Sequence, residues 1–380
     1  MAKRYTKKQV RQVKNAVKTI KKASPGSIFL AFIILAVAIG GYFIYNKFFK
    51  DPYIAPKGEI EFHFMQLNYG TSGDCIYIKA GDNDILIDGG SYYSSLDSIS
   101  SYINSRMTDN KIEYLIVTHA HEDHIACLGG SGNSQTIFDL YDIGVIIDFP
   151  LTDNQLTTDK GNDTLYGRYV KERDAEIQLG AKHYTALECY TESEEGAQKF
   201  YNLSDDGNIK LEILYNYYYE NQADKENNYS VCVQFHHGSR KFLFTGDLED
   251  DGEEYLVANN NLKEVDLYKA GHHGSRTSSN DVLLSVIKPK ICVISGVAGD
   301  KYGFPHQETI NRLASNGVNK VYMTMKKVGD SFDAYNGDIV VSSSSENGVK
   351  VTCSNDDKPL KDTEWLIQNR IIPDAWKLVA

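Results

Sequence analysis

Leu115-Ile116-Val117-Thr118-His119-Ala120-His121-Glu122-Asp123-His124 decides how this chain is read. Four residues of buried-strand character run directly into three imidazoles and a carboxylate within six positions. His119 and His121 alternate around one turn. Asp123 and His124 open the helix or loop that follows, where they can serve a second ion. Imidazole and carboxylate suit zinc, manganese or iron, and a catalytic centre keeps one position open for water. The plain alternative is a surface turn that happens to be His-rich. Four potential ligands abutting a hydrophobic strand argue against it.

Around this run the chain alternates short apolar stretches with helical periodicity. Strands are expected at 59–66, 75–80, 84–88, 114–118, 144–149, 209–215, 230–235, 241–245, 265–269 and 291–295. Helices are expected at 94–107, 167–179, 279–287 and 307–314. Strands and helices share one continuous stretch, and several strands adjoin across turns. Mixed sheets covered by helices in one α+β domain follow. Residues 151–225 are polar and tyrosine-rich and are the expected place for insertions around a site mouth, while 355–380, with Trp365 and Trp376, reads as a tail packing back on the domain.

The charge is divided. Residues 1–50 hold eleven Lys or Arg and no Asp or Glu, which leaves 29 basic against 51 acidic residues in 51–380, a net charge of −22. Residues 28–45, IFLAFIILAVAIGGYFIY, are uncharged and long enough to cross the ~30 Å hydrocarbon layer as a helix. A cleaved signal peptide is the competing reading. The run exceeds the usual h-region of roughly 7–15 residues and ends in aromatics and Lys47 rather than a small-x-small site. Nine basic residues before the span and two after it place the N-terminus in the cytoplasm and the body outside a plasma membrane. The expected layout is a basic head (1–24), a single-pass anchor (25–47), a linker (48–58), one folded domain (59–354) and a tail (355–380). Val10, Val13, Val17 and Ile20 recur at helical spacing in the head, which fits a helix on an anionic leaflet as well as a plain topogenic tail. The six cysteines show no metal-type pairing; buried thiols are expected, although an external domain permits disulfides.

The HxHxDH run after a strand resembles the signature of the metallo-β-lactamase superfamily, and three further motifs follow its order. Ile85-Leu-Ile-Asp88-Gly-Gly90 resembles the strand-terminal Asp-Gly motif, whose Asp orients a metal-bound His. Phe242-Leu-Phe-Thr-Gly-Asp247 resembles the motif whose Asp bridges two metals. Asp266-Leu-Tyr-Lys-Ala-Gly-His272-His273-Gly-Ser275 resembles the closing His motif. Within it His272, directly after the strand, is the better candidate ligand, with His273 and Ser275 placed behind. The stretch around Asp74, the Thr-Gly-Asp247-Leu-Glu run, the HHGS element and Tyr302-Gly-Phe304-Pro-His306 are similar to the extracellular domain of ComEC-type competence proteins. That resemblance covers about 59–353. No multi-spanning channel of the competence-protein kind is expected from these residues, so a DNA-uptake role is not carried over.

The resemblance implies an αββα sandwich, here preceded by one transmembrane helix, binding one or two divalent ions, with zinc expected and manganese the alternative. The implied ligands are His119, His121 and His272 for one ion and Asp123, His124 and Asp247 for the other, with Asp123, His124 and Asp247 at the reacting centre. Asp74, Asp88, Asn228, Tyr302 and His306 are expected behind the ligands or against substrate. Two departures stand out. The superfamily's additional His before the bridging Asp has no equivalent, Asn228-Tyr-Ser230 occupying its neighbourhood, and Phe304 replaces a first His where His306 is kept. The chemistry implied is hydrolysis by a metal-activated water, with phosphodiesters the leading substrate class. A nucleic-acid partner is compatible with the motifs but disfavoured by the acidic body. A cell-envelope phosphoester or amide is the alternative substrate, and a non-catalytic tethered binding domain the non-enzymatic one.

Overall fold

A computed structural model describes residues 58–377 except Asn133. The expected head, membrane span and all but the last residue of the linker lie outside the described residues. Those described fall in one compact unit, and among them no helix is long and apolar enough to cross a membrane.

Two eight-stranded sheets build the unit. In the first, β1 (Glu59–Phe64), β2 (Ile76–Ala80) and β3 (Asn83–Ile87) form an antiparallel meander. It continues in parallel through β4 (Lys111–Ile116), β5 (Asp142–Asp148) and β6 (Lys182–Thr185). With β15 (Ile339–Ser344) and β16 (Gly348–Cys353) at the other edge, the order is β16-β15-β1-β2-β3-β4-β5-β6. The second sheet starts with β7 (Phe200–Asn202), β8 (Ile209–Ile213), β9 (Val233–His237) and β10 (Arg240–Phe244), all antiparallel. It turns parallel through β11 (Leu267–Lys269), β12 (Ile291–Ala298) and β13 (Lys320–Val328), with β14 (Ser331–Ala334) antiparallel at the edge.

The residue pattern explains the layering. β8 alternates buried and half-buried positions, as a strand with one face inward must. All eight residues of β12 are buried, as expected of a strand with neighbours on both sides and cover on both faces. The sheets meet through aromatic side chains: the Phe62 ring lies 4.6 Å from Phe242 and 5.5 Å from both Phe235 and Phe244. Outside the second sheet, helices Asp250–Asn259, Asp281–Ile287 and Gln307–Ser315 bury Leu256, Leu283, Leu284, Ile310 and Leu313 against Leu243, Cys292, Ile294 and Met323. Helices Leu96–Asn104, Glu122–Gly129 and Leu165–Leu179 add their apolar faces to the core of the first. The αββα layering is therefore present, and an aromatic inter-sheet core gains both burial and edge-to-face contact.

Residues 151–225 differ from expectation. Besides the expected strand at β8 they supply the edge strands β6 and β7, so both sheets are widened by this stretch. In the tail, Trp376 is buried and its indole N–H donates to the Val318 carbonyl at 2.9 Å. His236 and His237 end β9 beside a turn in which Gly238 has φ 60°; they bond Glu212 and Ser343, and stand apart from the chemistry despite copying the HHGS letters. The six cysteines are unbonded thiols, five of them buried.

Candidate metal centre

The C-terminal ends of the central strands gather the charged motifs at one rim, where a crevice opens in mixed α/β sheets. Asp88 follows β3, His119 follows β4, Asp247 follows β10, and His272 and His273 follow β11. His121 takes an extended conformation (φ −70°, ψ 152°) as the residue before helix Glu122–Gly129. Glu122 and Asp123 occupy the first turn of that helix, where its dipole favours negative charge. The turn after β10 is held by Gly246 (φ 55°), where a Cβ would meet the Ser230 hydroxyl at 2.8 Å. Gly73 is equally constrained: a Cβ there would lie 2.7 Å from the Asp123 carbonyl oxygen.

Three imidazoles are aimed by bonds behind them. His124 Nδ1 pairs with Asp88 Oδ2 at 2.7 Å, and Asp88 also accepts from the Thr118 amide and hydroxyl at 2.7 Å each. His124 Nε2 is thereby turned toward Asp247 Oδ2, 3.2 Å away. His273 Nδ1 donates to the Ser295 carbonyl at 2.8 Å, which turns its Nε2 to 3.4 Å from Asp247 Oδ2 and 3.5 Å from Asp123 Oδ2. His119 Nδ1 faces the Thr118 and Ser230 hydroxyls, and its Nε2 lies 3.0 Å from His121 Nδ1. A carboxylate or carbonyl behind a ring, with the other nitrogen free, is the arrangement that orients metal-binding histidines.

His273 departs from the sequence reading. Expected behind the ligands, it is fully buried with its Nε2 in the cluster. His272, expected as the ligand, is 23% exposed at its side chain, with Nε2 3.8 Å from Asp247 Oδ2 and Nδ1 near Glu249, Asn227 and Thr277. Both residues have left-handed backbone (φ 48° and 52°), which costs a non-glycine residue free energy and directs two successive rings to one side.

The remaining expected residues are distributed around the cluster. Asp74 is buried and ion-paired with Lys269 Nζ; its Oδ1 reaches His273 on the Nδ1 side at 3.5 Å, so it stands behind that ring. Asn228 accepts from the Glu249 amide, and Ser275 bonds Thr277. His306 accepts from the Arg276 amide at 2.9 Å and bonds the Tyr302 carbonyl, bracing the loop after His273 from outside. Tyr302 is 53% exposed at the lip. The substituted Phe304 packs its ring 5.7 Å from His272 and 6.0 Å from His273, forming an apolar wall. Lys269, legible in the sequence only as a cation flanking the motifs, is part of the site: its ammonium is buried between Asp74 and Asp247, 3.6 Å from the latter's Oδ1. A lysine in an apolar strand just before HHGS was the available signal.

Electrostatics tie the cluster together. Burial alone would lower both His124 and His273. Asp247 and Asp88 outweigh it at His124, and Asp247 and Asp74 outweigh it at His273, which is carried up to about 10. Burial would raise Asp123 and Asp247, but neighbouring histidines hold both below the usual carboxylate range. His119 is pushed well down by burial and by His124, so its imidazole is neutral and able to donate a lone pair.

These residues fit a divalent ion. His124 Nε2, His273 Nε2 and Asp247 Oδ1 are buried without a hydrogen-bond partner, an arrangement proteins avoid unless something else satisfies the atoms. Donor atoms of Asp74, His124, Asp247 and His273 all lie within 4.8 Å of one another. Lys269 engages Asp74 Oδ2, while Asp74 Oδ1 is buried without a hydrogen-bond partner, and Asp123 Oδ2 lies 3.5 Å from His273 Nε2 at the more open side.

Residues 68–132 match the Metallo-beta-lactamase superfamily model. That stretch is metallo-β-lactamase-like. Among curated relatives, the chain is 33% identical over 88 residues to Recombination protein 2 of Haemophilus influenzae, covering 23% of this chain and 11% of that protein. It is 36% identical over 95 residues to Competence protein ComA of Neisseria gonorrhoeae, covering 24% and 14%. Exodeoxyribonuclease WalJ of Streptococcus pneumoniae is 31% identical over 71 residues, covering 19% and 26%. The match thus spans roughly a tenth to a quarter of these relatives' lengths. Residues 68–132 thus carry the family's stretch of sequence, and the curated relatives that share it include competence and recombination proteins.

Proposed function

We propose that this chain hydrolyses phosphodiester bonds with divalent ions held by the cluster above, in a domain anchored outside the plasma membrane by residues 28–45. His119, His121 and His272 would hold one ion, Asp123, His124 and His273 a second, with Asp247 between them. Zinc suits the imidazole-rich set, with manganese the alternative. When bound, such ions supply Lewis acidity and bring a coordinated water's pKa to near 7. The residues themselves do the positioning. Asp88 and the Ser295 carbonyl aim His124 and His273, Lys269 offsets the buried carboxylates of Asp74 and Asp247, and Phe304 keeps one wall dry. The exposed flank of Asp123 leaves the side where a substrate can enter.

The observation that carries this reading is the convergence of three buried, unpartnered donor atoms from His124, His273 and Asp247. The phosphodiester assignment is supported by the exodeoxyribonuclease among the relatives. Metal analysis of the purified protein, followed by a panel of single-stranded DNA, bis-nitrophenyl phosphate, phosphorylcholine esters and a chromogenic cephalosporin, tests it. Bound metal with turnover of the first two is expected. Turnover of phosphorylcholine ester alone would favour a cell-envelope substrate, and a chain that retains no metal would reduce it to a tethered binding domain.

A further inference from the structure

Two hollows open on either side of Glu122, and the residues between them are those of the metal centre. One, of about 350 Å³, runs from His121 past Tyr92, Tyr93 and Tyr166 to Arg168. The other, of about 140 Å³, runs from Asp123 past Tyr69 and Tyr92 to Lys301 and Tyr302. Tyr92 and Glu122 line both, so the two are branches of one cleft with His121 and Asp123 at its waist. A larger hollow of about 710 Å³ near Tyr102, Arg106 and Asp338 contains none of the centre's residues.

The walls of the cleft are planar rings. Tyr69 and Tyr92 stack at 4.6 Å with 4° between planes, and Tyr93, an exposed residue, follows with its ring 4.2 Å from Tyr92. Tyr302, more than half exposed, stands on the opposite lip and carries Lys301 Nζ 4.7 Å above its ring. Each branch ends in a cation that no carboxylate pairs with among the described residues. Lys301 leans on an aromatic face, while Arg168 binds only the carbonyls of Gly129, Gly130 and Asp163. This contrasts with the domain's strongly acidic surface, on which unpaired cations flanking the acidic waist are conspicuous.

We propose that this cleft is a single-strand nucleic-acid groove, in which Tyr93 and Tyr302 stack the bases on either side of the scissile phosphodiester and Arg168 and Lys301 meet the flanking phosphates. The proposal rests on the phosphodiesterase reading and names its substrate subsites. Stacked aromatics with a cation at each end are how proteins track a strand without reading its sequence. A duplex would not offer its base faces to these rings. The acidic body weakens long-range capture of a polyanion, so affinity has to come from contact within the cleft. Glu122 at the shared rim repels phosphate from the rim itself and leaves the waist, beside His121 and Asp123, as the place for the diester.

The test is binding of a fluorescein-labelled phosphorothioate oligothymidylate to the purified full chain, by anisotropy, in EDTA and again with Mn²⁺. Tyr93→Ala and Tyr302→Ala are each expected to weaken binding about tenfold. An oligonucleotide with abasic spacers should lose a similar factor on the parent chain. Lys301→Ala should lower the slope of log affinity against log salt by roughly 0.7, the value for one phosphate contact on a single strand. Affinities unchanged in both tyrosine variants, or no binding in either condition, would overturn the groove. Hydrolysis is read separately with bis-nitrophenyl phosphate. A chain that binds the strand but cleaves no diester refutes the phosphodiesterase reading and keeps the groove, and one that cleaves the small diester while ignoring base and phosphate changes does the reverse.

Discussion

Replacing Lys269 by methionine removes one buried charge and leaves shape nearly intact, so it isolates the electrostatic coupling beneath the metal centre. Lys269 and Asp74 are both nearly sealed from solvent, at 1% and 2% side-chain exposure, and pair directly. The same ammonium lies 3.6 Å from Asp247 Oδ1 and 3.4 Å from the Gly246 carbonyl. Without it, Asp74 keeps only the His273 ring at 3.5 Å, and Asp247 loses a compensating charge. Breaking a buried pair on one side typically costs about 3–5 kcal/mol. The surviving His273 neighbour places the expected loss of folding free energy at the lower end, about 3 kcal/mol, a large share of the roughly 5–15 kcal/mol of a typical domain. Asp74→Asn combined with Lys269→Met removes both charges, and its cost should fall short of the sum of the singles by about 1.5–3 kcal/mol. Urea unfolding with EDTA present, on the four proteins of the cycle, measures this. A loss under about 1 kcal/mol for Lys269→Met, or singles that add within about 0.5 kcal/mol, would refute the view that this pair is a buried, mutually compensating unit.

Further outcomes follow from the same geometry. Asp88→Asn should weaken metal binding about 10–100-fold while circular dichroism stays native, because the ring of His124 loses its orienting carboxylate. His273→Ala should reduce metal content measured by mass spectrometry, whereas His237→Ala, a hairpin histidine bonded to Ser343, should leave it at the parent value. Buried Glu253, whose carboxyl accepts from the Ser279 and Asn280 amides, is raised from 4.5 to about 7 by burial. The folded state therefore holds this proton more tightly than the unfolded one, and the associated stability is present below about pH 4.5 and lost as pH rises through about 7. The stability of the parent relative to Glu253→Gln, read from urea midpoints, should fall by the equivalent of about 3 kcal/mol as pH rises across that window. Phe62→Ala, emptying the contact of the two sheets, should cost about 3–5 kcal/mol in the same assay.

The chemistry that the sequence determined unaided is local. His119, His121, Asp123 and His124 sit within six residues between a strand and a helix, so their convergence follows from backbone geometry at a strand end and needs no distant partner. Asp88 was legible for a similar reason: a strand-terminal Asp beside a parallel neighbour can hardly miss the next loop. The layered α+β architecture was legible from period-2 and helical patterning, but the edge strands β6, β7, β14 and β16 were not, since edge positions carry the mixed polar patterns of a half-solvated surface; β13 and β15 beside them went unread as well. Which of two adjacent histidines faces the cluster could be settled only in three dimensions. Residues 272 and 273 share left-handed backbone and both pack on Phe304, and what separates them is the Ser295 carbonyl that accepts from His273 Nδ1. The buried Asp74–Lys269 pair, joining residues 195 positions apart, likewise exists only because two sheets pack face to face and bring their strand ends to one rim. Short-range order fixes the kind of chemistry available here; long-range packing, by choosing which donor atoms lose water together, decides where it happens.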